Sequence, residues 1–574
     1  MPDRTRDLIE MAAFIYAADR LITRGRPNQV EFENWARELT FCIPVRDLTY
    51  WQQDEVVKSL ASALTFVSGD KSYSFYFTKR ISTDPPTSLF HDADTAPDSV
   101  DLKSGYPVAL FSGGLDFLAG VVSLLATTDK KVVITSHRSN PSTVKVQKRV
   151  YEALNRAYPG RLLYHPLECS LTGVRASEET QRTRFFLYTA VGFALAQAYG
   201  QDELNIFENG ITSINLSKRQ DLMNGRASRT THPKTLGLLQ KVFAGVLNHP
   251  FIIRHPFIHL TKTEVVSVLK QYNQPDLIGS TLTCTKTFEK FNNRTSASHC
   301  GYCSQCVDRR FAMYAAKLEK YDTVYDFDLA TEAFPKKDAQ THVIDYMRHA
   351  HTFATTHFDE FYNDYLDPLS DLIEFIPNEH IEEEVTNLHQ LYLRHAGAVE
   401  RAYRRMVDMH DSIFKPPLAN SIYEVVNARR FQRDRAECLA ADIARMLNTT
   451  IPIALASITV GHENALNDQI QALLRRDSET YEREYPAVRF SFATVVPDHS
   501  STSADADLFI EAKFLRKKTP PSVITDQIAA DLMKYPDGAY KLFVIYDPER
   551  RIKEDNRFKR DFEIRSNCTI CIIR

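Results

Sequence analysis

The 574-residue sequence contains no apolar run long enough to span a bilayer, since a transmembrane helix needs about 20 such residues. The opening stretch Met1-Pro2-Asp3-Arg4-Thr5-Arg6-Asp7 has no apolar segment after its charges, so it does not read as a secretion signal. A net charge of -3 supplies no overall electrostatic pull towards nucleic acid or an anionic membrane. Nine cysteines are too few for a disulfide scaffold in a chain this long, and four of them cluster at metal-ligand spacing, which suits a reducing compartment. No repeat or low-complexity tract stands out. These absences leave a cytoplasmic protein of ordinary composition, long enough for two to four domains.

Four segments are expected. Residues 1–100 read as a small α+β unit, with a helix over 7–25, strands near Leu39–Val45 and Ser72–Thr78, and a helix near Glu55–Phe66. The run Ser82–Asp101, rich in Pro, Ser, Thr and Asp, reads as a linker. Residues 101–325 alternate strands (Val108–Phe111, Val132–Thr135, Leu162–Pro166, Leu204–Phe207) with helical stretches, the pattern of an α/β fold with a doubly wound parallel sheet. Residues 326–445 have helical spacing almost throughout and read as a helical connector. Residues 446–574 return to strands and form a separate α/β unit.

Val108-Ala109-Leu110-Phe111 runs straight into Ser112-Gly113-Gly114-Leu115-Asp116, and a helix follows at once. Two glycines let the chain turn sharply, so that successive N–H groups point into one concavity at a helix N-terminus and bind phosphate oxygens. Ser112 adds a hydroxyl, and Asp116 is placed to hold the Mg²⁺ that neutralises a polyphosphate. The stretch resembles the Ser-Gly-Gly-x-Asp-Ser signature of PP-loop ATP pyrophosphatases, with Phe117 where that signature ends in serine.

Cys284, Cys300, Cys303 and Cys306 supply four thiolates, which complete a closed tetrahedral Zn²⁺ shell with no open position, so the metal is expected to be structural. An iron–sulfur cluster is the alternative for Cys-x-x-Cys-x-x-Cys. A PP-loop domain that ends in this pattern and then Arg309-Arg310-x-Ala312 resembles the QueC (7-cyano-7-deazaguanine synthase) family. So do Gln181-Arg182-Thr183-Arg184-Phe185-Phe186-Leu187 and His255-Pro256-Phe257-Ile258-His259-Leu260-Thr261-Lys262-Thr263-Glu264. The resemblance covers roughly residues 105–320. It implies an adenine nucleotide alpha hydrolase-like domain that spends ATP to activate a 7-deazaguanine-type carboxylate and then displaces the activated oxygen with ammonia. By that analogy Ser112, Gly113, Gly114, Leu115 and Asp116 hold phosphates and Mg²⁺, while Arg182 and Lys262 stabilise charge developing in transfer.

Near the C-terminus, Glu511 and Lys513 are two residues apart on one predicted strand and so share a face. A carboxylate beside an ammonium suits a metal-dependent nuclease, the Glu binding Mg²⁺ and the Lys positioning water. An upstream aspartate completes the shell; Asp507 shares the strand face by parity, Asp498 and Asp505 are alternatives, and Glu463 is a further candidate. The segment resembles the PD-(D/E)xK nuclease superfamily. Cys568 and Cys571, on an apolar terminal strand, read as core.

QueC-like proteins with added domains occur in bacterial anti-phage operons, and a nuclease-like appendage fits that setting. The resemblance therefore implies a deazapurine-like small molecule and ATP as ligands, with a protein or nucleic acid as acceptor, and it is compatible with a homodimer. The alternative is a nucleic-acid effector whose PP-loop domain senses a nucleotide while the C-terminal unit cuts.

Overall fold

The computed structural model describes residues 1–24, 36–81, 104–138, 141–177, 182–216, 229–286, 297–376, 380–411, 418–427, 435–455, 462–475, 481–490, 493–503, 506–517, 519–535, 539–563 and 567–574. The expected linker Ser82–Asp101 lies outside the described residues. The chain divides into two compact units, Met1–Val425 and Val426–Arg574. No helix among the described residues is long and apolar enough to cross a membrane.

The first unit opens with helix α1 (Asp3–Leu21), strand β1 (Glu38–Val45), helix α2 (Asp54–Ser68) and strand β2 (Ser72–Lys79). The two strands pair in parallel, Glu38 opposite Ser72, so α2 is their crossover. A central sheet follows, built from β3 (Val108–Leu110), β4 (Val132–His137), β5 (Leu162–Leu167), β6 (Glu203–Asn205) and β7 (Ile252–Arg254). All its pairings are parallel and its order is β5-β4-β3-β6-β7. Helices α3 (Leu115–Thr127), α4 (Pro141–Ala157), α5 (Arg182–Ala198), α6 (Gly210–Ile214), α7 (Pro233–Leu247), α8 (Lys262–Gln271) and α9 (Ser304–Ala316) connect and follow these strands. β4 is buried at every position, as expected of a parallel strand covered on both faces.

The winding reverses between β3 and β6, and in open parallel sheets the ligand crevice lies beyond the strand C-termini at such a switch point. The ends of β3 and β6 are therefore the place to look for a site.

Packing joins the N-terminal and helical segments to the central sheet. Residues 1–100 contribute to the same core as the central sheet: Leu8, Met11, Ala12 and Ile15 of α1 lie in one cluster with Phe185, Phe186 and Val191 of α5. This explains why α5 is apolar nearly all round, since a helix covered on every side needs no polar stripe. The expected connector is likewise part of the first unit. Its helices α10 (Lys337–Thr355), α11 (Phe358–Asp364), α12 (Leu366–Ile373) and α13 (Ile381–His410) bury Phe353, Phe361, Leu369, Leu388 and Tyr392 with Ile214 and Leu216, just beyond β6.

The second unit carries helices α14 (Arg435–Ala454) and α15 (Glu463–Leu474), then β8 (Glu482–Arg483), a short antiparallel pair β9 (Val488–Phe490) and β10 (Ala493–Val495), and β11 (His499–Ser503). After these come β12 (Ala506–Phe514), α16 (Pro521–Lys534), β13 (Tyr540–Tyr546), α17 (Asp555–Glu563) and β14 (Cys568–Ile573). The sheet order is β14-β13-β12-β11-β8. β12, β13 and β14 are parallel, whereas β11 is antiparallel to both its neighbours. Apolar residues of α14 and α15 cover the Leu508/Ile510/Ala512 face, and those of α16 and α17 join the Phe543/Ile545 face. Cys571 lies in the first cluster and Cys568 in the second, so both are core residues on opposite sides of the sheet.

Candidate functional site

The Ser112–Asp116 loop joins β3 to α3 as the motif predicts. Gly113 has φ +85°, a left-handed conformation that glycine adopts without steric cost, and the Gly113 carbonyl accepts a 3.2 Å hydrogen bond from Leu282 N–H. That bond ties the loop to the strand-like segment entering the cysteine cluster. Ser112 Oγ accepts from Gly114 N–H at 3.2 Å.

Asp116, in the first turn of α3, is buried and faces Lys262, whose Nζ lies 2.8 Å from Oδ1. Oδ2 accepts from the backbone and side-chain N–H groups of Asn209 at 3.1 and 3.0 Å. Burial alone would raise the Asp116 carboxyl, but Lys262 and the donors around it hold it down to about 2. Glu208, beside it, is pushed well above its ordinary value by burial and by the Asp116 charge. Two adjacent carboxyls cannot both ionise cheaply, so Asp116 carries the charge and Glu208 the proton. Burial would lower Lys262, yet Asp116, Asp308 and Glu208 raise it. Asp308 Oδ2 lies 3.9 Å from Lys262 Nζ, and its other oxygen accepts from Tyr346 O–H at 2.9 Å.

The local sequence explains how these groups meet. Lys262 opens α8, which begins with a capping box: Glu264 N–H donates to Thr261 Oγ1 at 3.2 Å and Thr261 N–H donates to Glu264 at 2.8 Å. The reciprocal bonds satisfy two free helix-end donors and fix the direction of the first turn. Asn209 caps α6 through Thr212 N–H at 3.1 Å. Gly210 follows because a Cβ there would stand 1.9 Å from the Ile258 carbonyl oxygen.

Cys284, Cys300, Cys303 and Cys306 are all buried, and their sulfurs all lie within 4.8 Å of one another. Sulfur–sulfur separations of 3.8 Å (Cys300–Cys306) and 4.0 Å (Cys303–Cys284) match the edge of about 3.8 Å for a tetrahedron with 2.3 Å zinc–sulfur bonds. Backbone N–H groups of Lys286 and Cys300 point at Cys284 Sγ, both at 3.4 Å, as expected where thiolate charge must be satisfied. His299 is engaged elsewhere, its Nε2 accepting from Thr283 N–H at 3.1 Å. The residues present therefore fit a four-thiolate metal. Arg309, fully buried, closes the loop behind them, bonding Thr281 Oγ1 at 2.7 Å, the Ile278 carbonyl at 3.1 Å and Asp322 at 2.9 Å.

In the second unit, Glu511 and Lys513 share one face of β12, with Lys513 Nζ 2.9 Å from Glu511 Oε2 and 2.9 Å from Asp531 Oδ2. Tyr535 O–H donates to Glu511 Oε1. Burial and the nearby Asp498 charge push the Glu511 carboxyl up to about 7, against the pull of Lys513 and Tyr535. Glu463 accepts from Phe514 N–H at 3.3 Å.

The strand register places the candidate aspartates differently with respect to Glu511. His499 pairs with Ile510, so Asp498 falls opposite Glu511, and its Oδ2 accepts from Ala512 N–H at 2.8 Å. Asp507 pairs with Thr502 instead. Four residues along a strand separate it from Glu511 by about 13 Å, too far for one cation. The Asp507 side chain and Asp505 lie outside the described residues.

Residues 183–317 match the family model of the queuosine biosynthesis protein QueC, and residues 460–574 match the DpnII-MboI restriction endonuclease model. The chain joins a QueC-like domain to a restriction-endonuclease-like one. No curated protein matches it. The QueC match takes in Lys262, Glu208 and all four cysteines and begins beyond the Ser112–Asp116 loop. The endonuclease match takes in Glu463, Asp498, Glu511 and Lys513. A QueC-like domain brings ATP-using PP-loop chemistry, and the endonuclease-like domain brings that of a nuclease.

Of the predicted residues in the QueC-like domain, Asp116 and Lys262 come together beneath the glycine loop. The Arg182 guanidinium donates to the Ser68 carbonyl at 2.5 Å, and burial with Arg24 and Arg229 nearby lowers it to about 10. The next residue, Thr183, donates to Asp19 at 2.5 Å. The start of α5 thus faces the N-terminal segment, where Asp19 and Asp70 bridge Arg24 and Arg37. Sequence reasoning missed Glu208, Asn209, Asp308 and Tyr346. Its available signal was Glu208-Asn209-Gly210 directly after an apolar strand, in the position where β6 ends at the crevice.

Proposed function

We propose that the QueC-like domain uses ATP to activate a 7-deazaguanine-type carboxylate, either for amide and nitrile formation or for transfer to a macromolecule, and that the chain serves anti-phage defence. The observation that carries this reading is the buried Asp116–Lys262 pair under a left-handed glycine turn at the crevice where β3 and β6 end. The N–H groups of Gly113, Gly114 and Leu115 and the Ser112 hydroxyl would cradle the polyphosphate. Asp116 and, once it loses its proton, Glu208 are the carboxylates suited to Mg²⁺, which supplies charge neutralisation. Lys262 holds positive charge beside the phosphates in the low-dielectric interior, where it acts strongly. In the activating step a substrate carboxylate oxygen bonds to the α-phosphorus and the bond to the β-phosphate bridging oxygen breaks, releasing pyrophosphate. Ammonia or an acceptor amine then attacks the acyl carbon, AMP leaves with the bonding electron pair, and the nitrogen loses a proton. The four cysteines would hold structural Zn²⁺.

The test is mass spectrometry of products after incubating the full chain with ATP, 7-carboxy-7-deazaguanine, ammonia and a candidate acceptor. Pyrophosphate release with an amide, nitrile or acceptor adduct, lost in Asp116→Ala and kept in Lys513→Ala, is the expected result. Absence of both ATP turnover and adduct would overturn the reading.

The endonuclease match supports a second reading, in which the QueC-like domain senses a nucleotide and the C-terminal domain cuts nucleic acid. Metal-dependent cleavage lost in Lys513→Ala but kept in Asp116→Ala would favour it.

A further inference from the structure

The endonuclease-like site holds its two principal side chains on each other. Lys513 Nζ takes one oxygen of Glu511 and the Tyr535 hydroxyl takes the other. Both oxygens that would face a cation are therefore engaged. Consistent with this, the four cysteines are the only group of three or more possible ligands among the described residues whose ligand atoms all lie within 4.8 Å; Glu463, Asp498 and Glu511 are not gathered. The two groups that enforce the arrangement come from one short stretch. Asp531, in the last turn of α16, sits 2.9 Å from Lys513 Nζ. Tyr535 follows four residues later, immediately after the helix, where residues i and i+4 point the same way. The Tyr535 ring packs against Phe509 at 5.1 Å between centroids, two residues before Glu511 on the same strand face, so its hydroxyl is held in place by the core.

We propose that Asp531 and Tyr535 are positioning residues of this site: Asp531 anchors Lys513, Tyr535 latches Glu511, and a divalent cation binds by displacing the tyrosine hydroxyl and drawing Glu511 away from Lys513. The proposal rests on the metal-dependent nuclease reading of the second unit. Its two residues act with opposite sign. Removing the tyrosine hydroxyl frees one Glu511 oxygen, which favours the cation. Removing the Asp531 charge leaves Glu511 as the nearest carboxylate partner of Lys513, strengthening the contact that the cation must break.

The test uses the full-length protein and Mn²⁺ alone, by titration calorimetry, with Asp498→Asn marking the signal that belongs to this site. Tyr535→Phe, which keeps the packed ring, is expected to bind Mn²⁺ about tenfold tighter, the effect of removing one competing hydrogen bond to a charged group. Asp531→Asn is expected to bind several-fold weaker. A merely structural role for both residues would weaken both variants alike. Unchanged or weakened binding by Tyr535→Phe, with Asp498-dependent binding present, overturns the latch alone. Absence of any Asp498-dependent Mn²⁺ signal in all variants overturns the metal-site reading beneath it.

Discussion

Replacing Lys262 by methionine removes one half of a buried ion pair and keeps most of the volume. The partner, Asp116, is 3% exposed and would keep the Asn209 donors and Glu208 as its hydrogen-bonding neighbours but no cation. Lys262 and the donors around Asp116 hold its carboxyl below the ordinary value despite burial, so the charged pair contributes stability at neutral pH. Removing one partner of a buried pair typically costs about 3–5 kcal/mol. That range is the loss expected at pH 7. The sign of its pH dependence follows from the direction of the shift. Stability from a depressed carboxyl is present above its unfolded pKa of about 3.9 and is lost as pH falls through the folded value. The variant instead gains from protonating Asp116, so its penalty is largest near neutrality and shrinks as the medium is acidified. The assay is urea unfolding of the full chain, in which the transition of the Val426–Arg574 unit should stay in place as an internal reference. Adding Asp116→Asn to Lys262→Met removes the stranded charge and should recover much of the loss. A penalty below about 1 kcal/mol for Lys262→Met, or a double variant no more stable than the single one, would refute the buried-pair account.

Three further outcomes are expected. The full chain should carry one equivalent of zinc by native mass spectrometry, and Cys303→Ser should lose it and expose the 281–322 segment to protease; retention of full metal occupancy would contradict the four-thiolate assignment. Gly113→Ala should weaken ATP binding at least tenfold in a fluorescent-nucleotide assay, because a Cβ in the left-handed region costs about 1–2 kcal/mol and this one would also stand 3.3 Å from Val146. If the second unit cleaves nucleic acid, Asp498→Asn should abolish cleavage while Asp507→Asn leaves most of it; the reverse ranking would contradict the β11–β12 register argument.

What could be read in the sequence was what is local. Strand, glycine turn and helix succeed one another within twenty residues, so the loop and its Asp116 stand out without any tertiary knowledge. Cysteine spacing is equally local, and Glu511 and Lys513 share a strand face by simple parity. The missing residues depend on strand order and register. Glu208 and Asn209 reach Asp116 only because β6 lies beside β3, a neighbour relation that the alternation of strands and helices does not specify. Spacing leaves Asp507 and Asp498 as rivals, and it does not specify the pairing of His499 with Ile510 that sets Asp498 opposite Glu511. The contact of Arg182 with the Ser68 carbonyl is of the same kind: it joins α5 to the N-terminal segment across more than a hundred residues, which a local motif does not reveal.

The helical stretch after residue 326 shows why an amphipathic pattern can mislead about function. Its periodicity says that one face is buried and not against what, so a separate connector and a wall of the nucleotide domain read alike. The contacts decide for the wall. Tyr346 of α10 holds Asp308, Arg394 of α13 pairs with Glu264 at 2.9 Å, and Tyr392 O–H accepts from Leu216 N–H at 2.9 Å. Arg394 thus braces the capping box that aims Lys262, while Tyr346 fixes the second carboxylate near it. Both lie beyond residue 317, where the QueC match ends. The matched core therefore carries Lys262, Glu208 and the cysteines, and the helices that follow it hold that lysine and its carboxylates in position. A truncation after residue 325, although it keeps the whole matched domain, would leave Asp308 without its tyrosine donor and Glu264 without Arg394. The Asp116–Lys262 arrangement thus belongs to a body that extends to Val425.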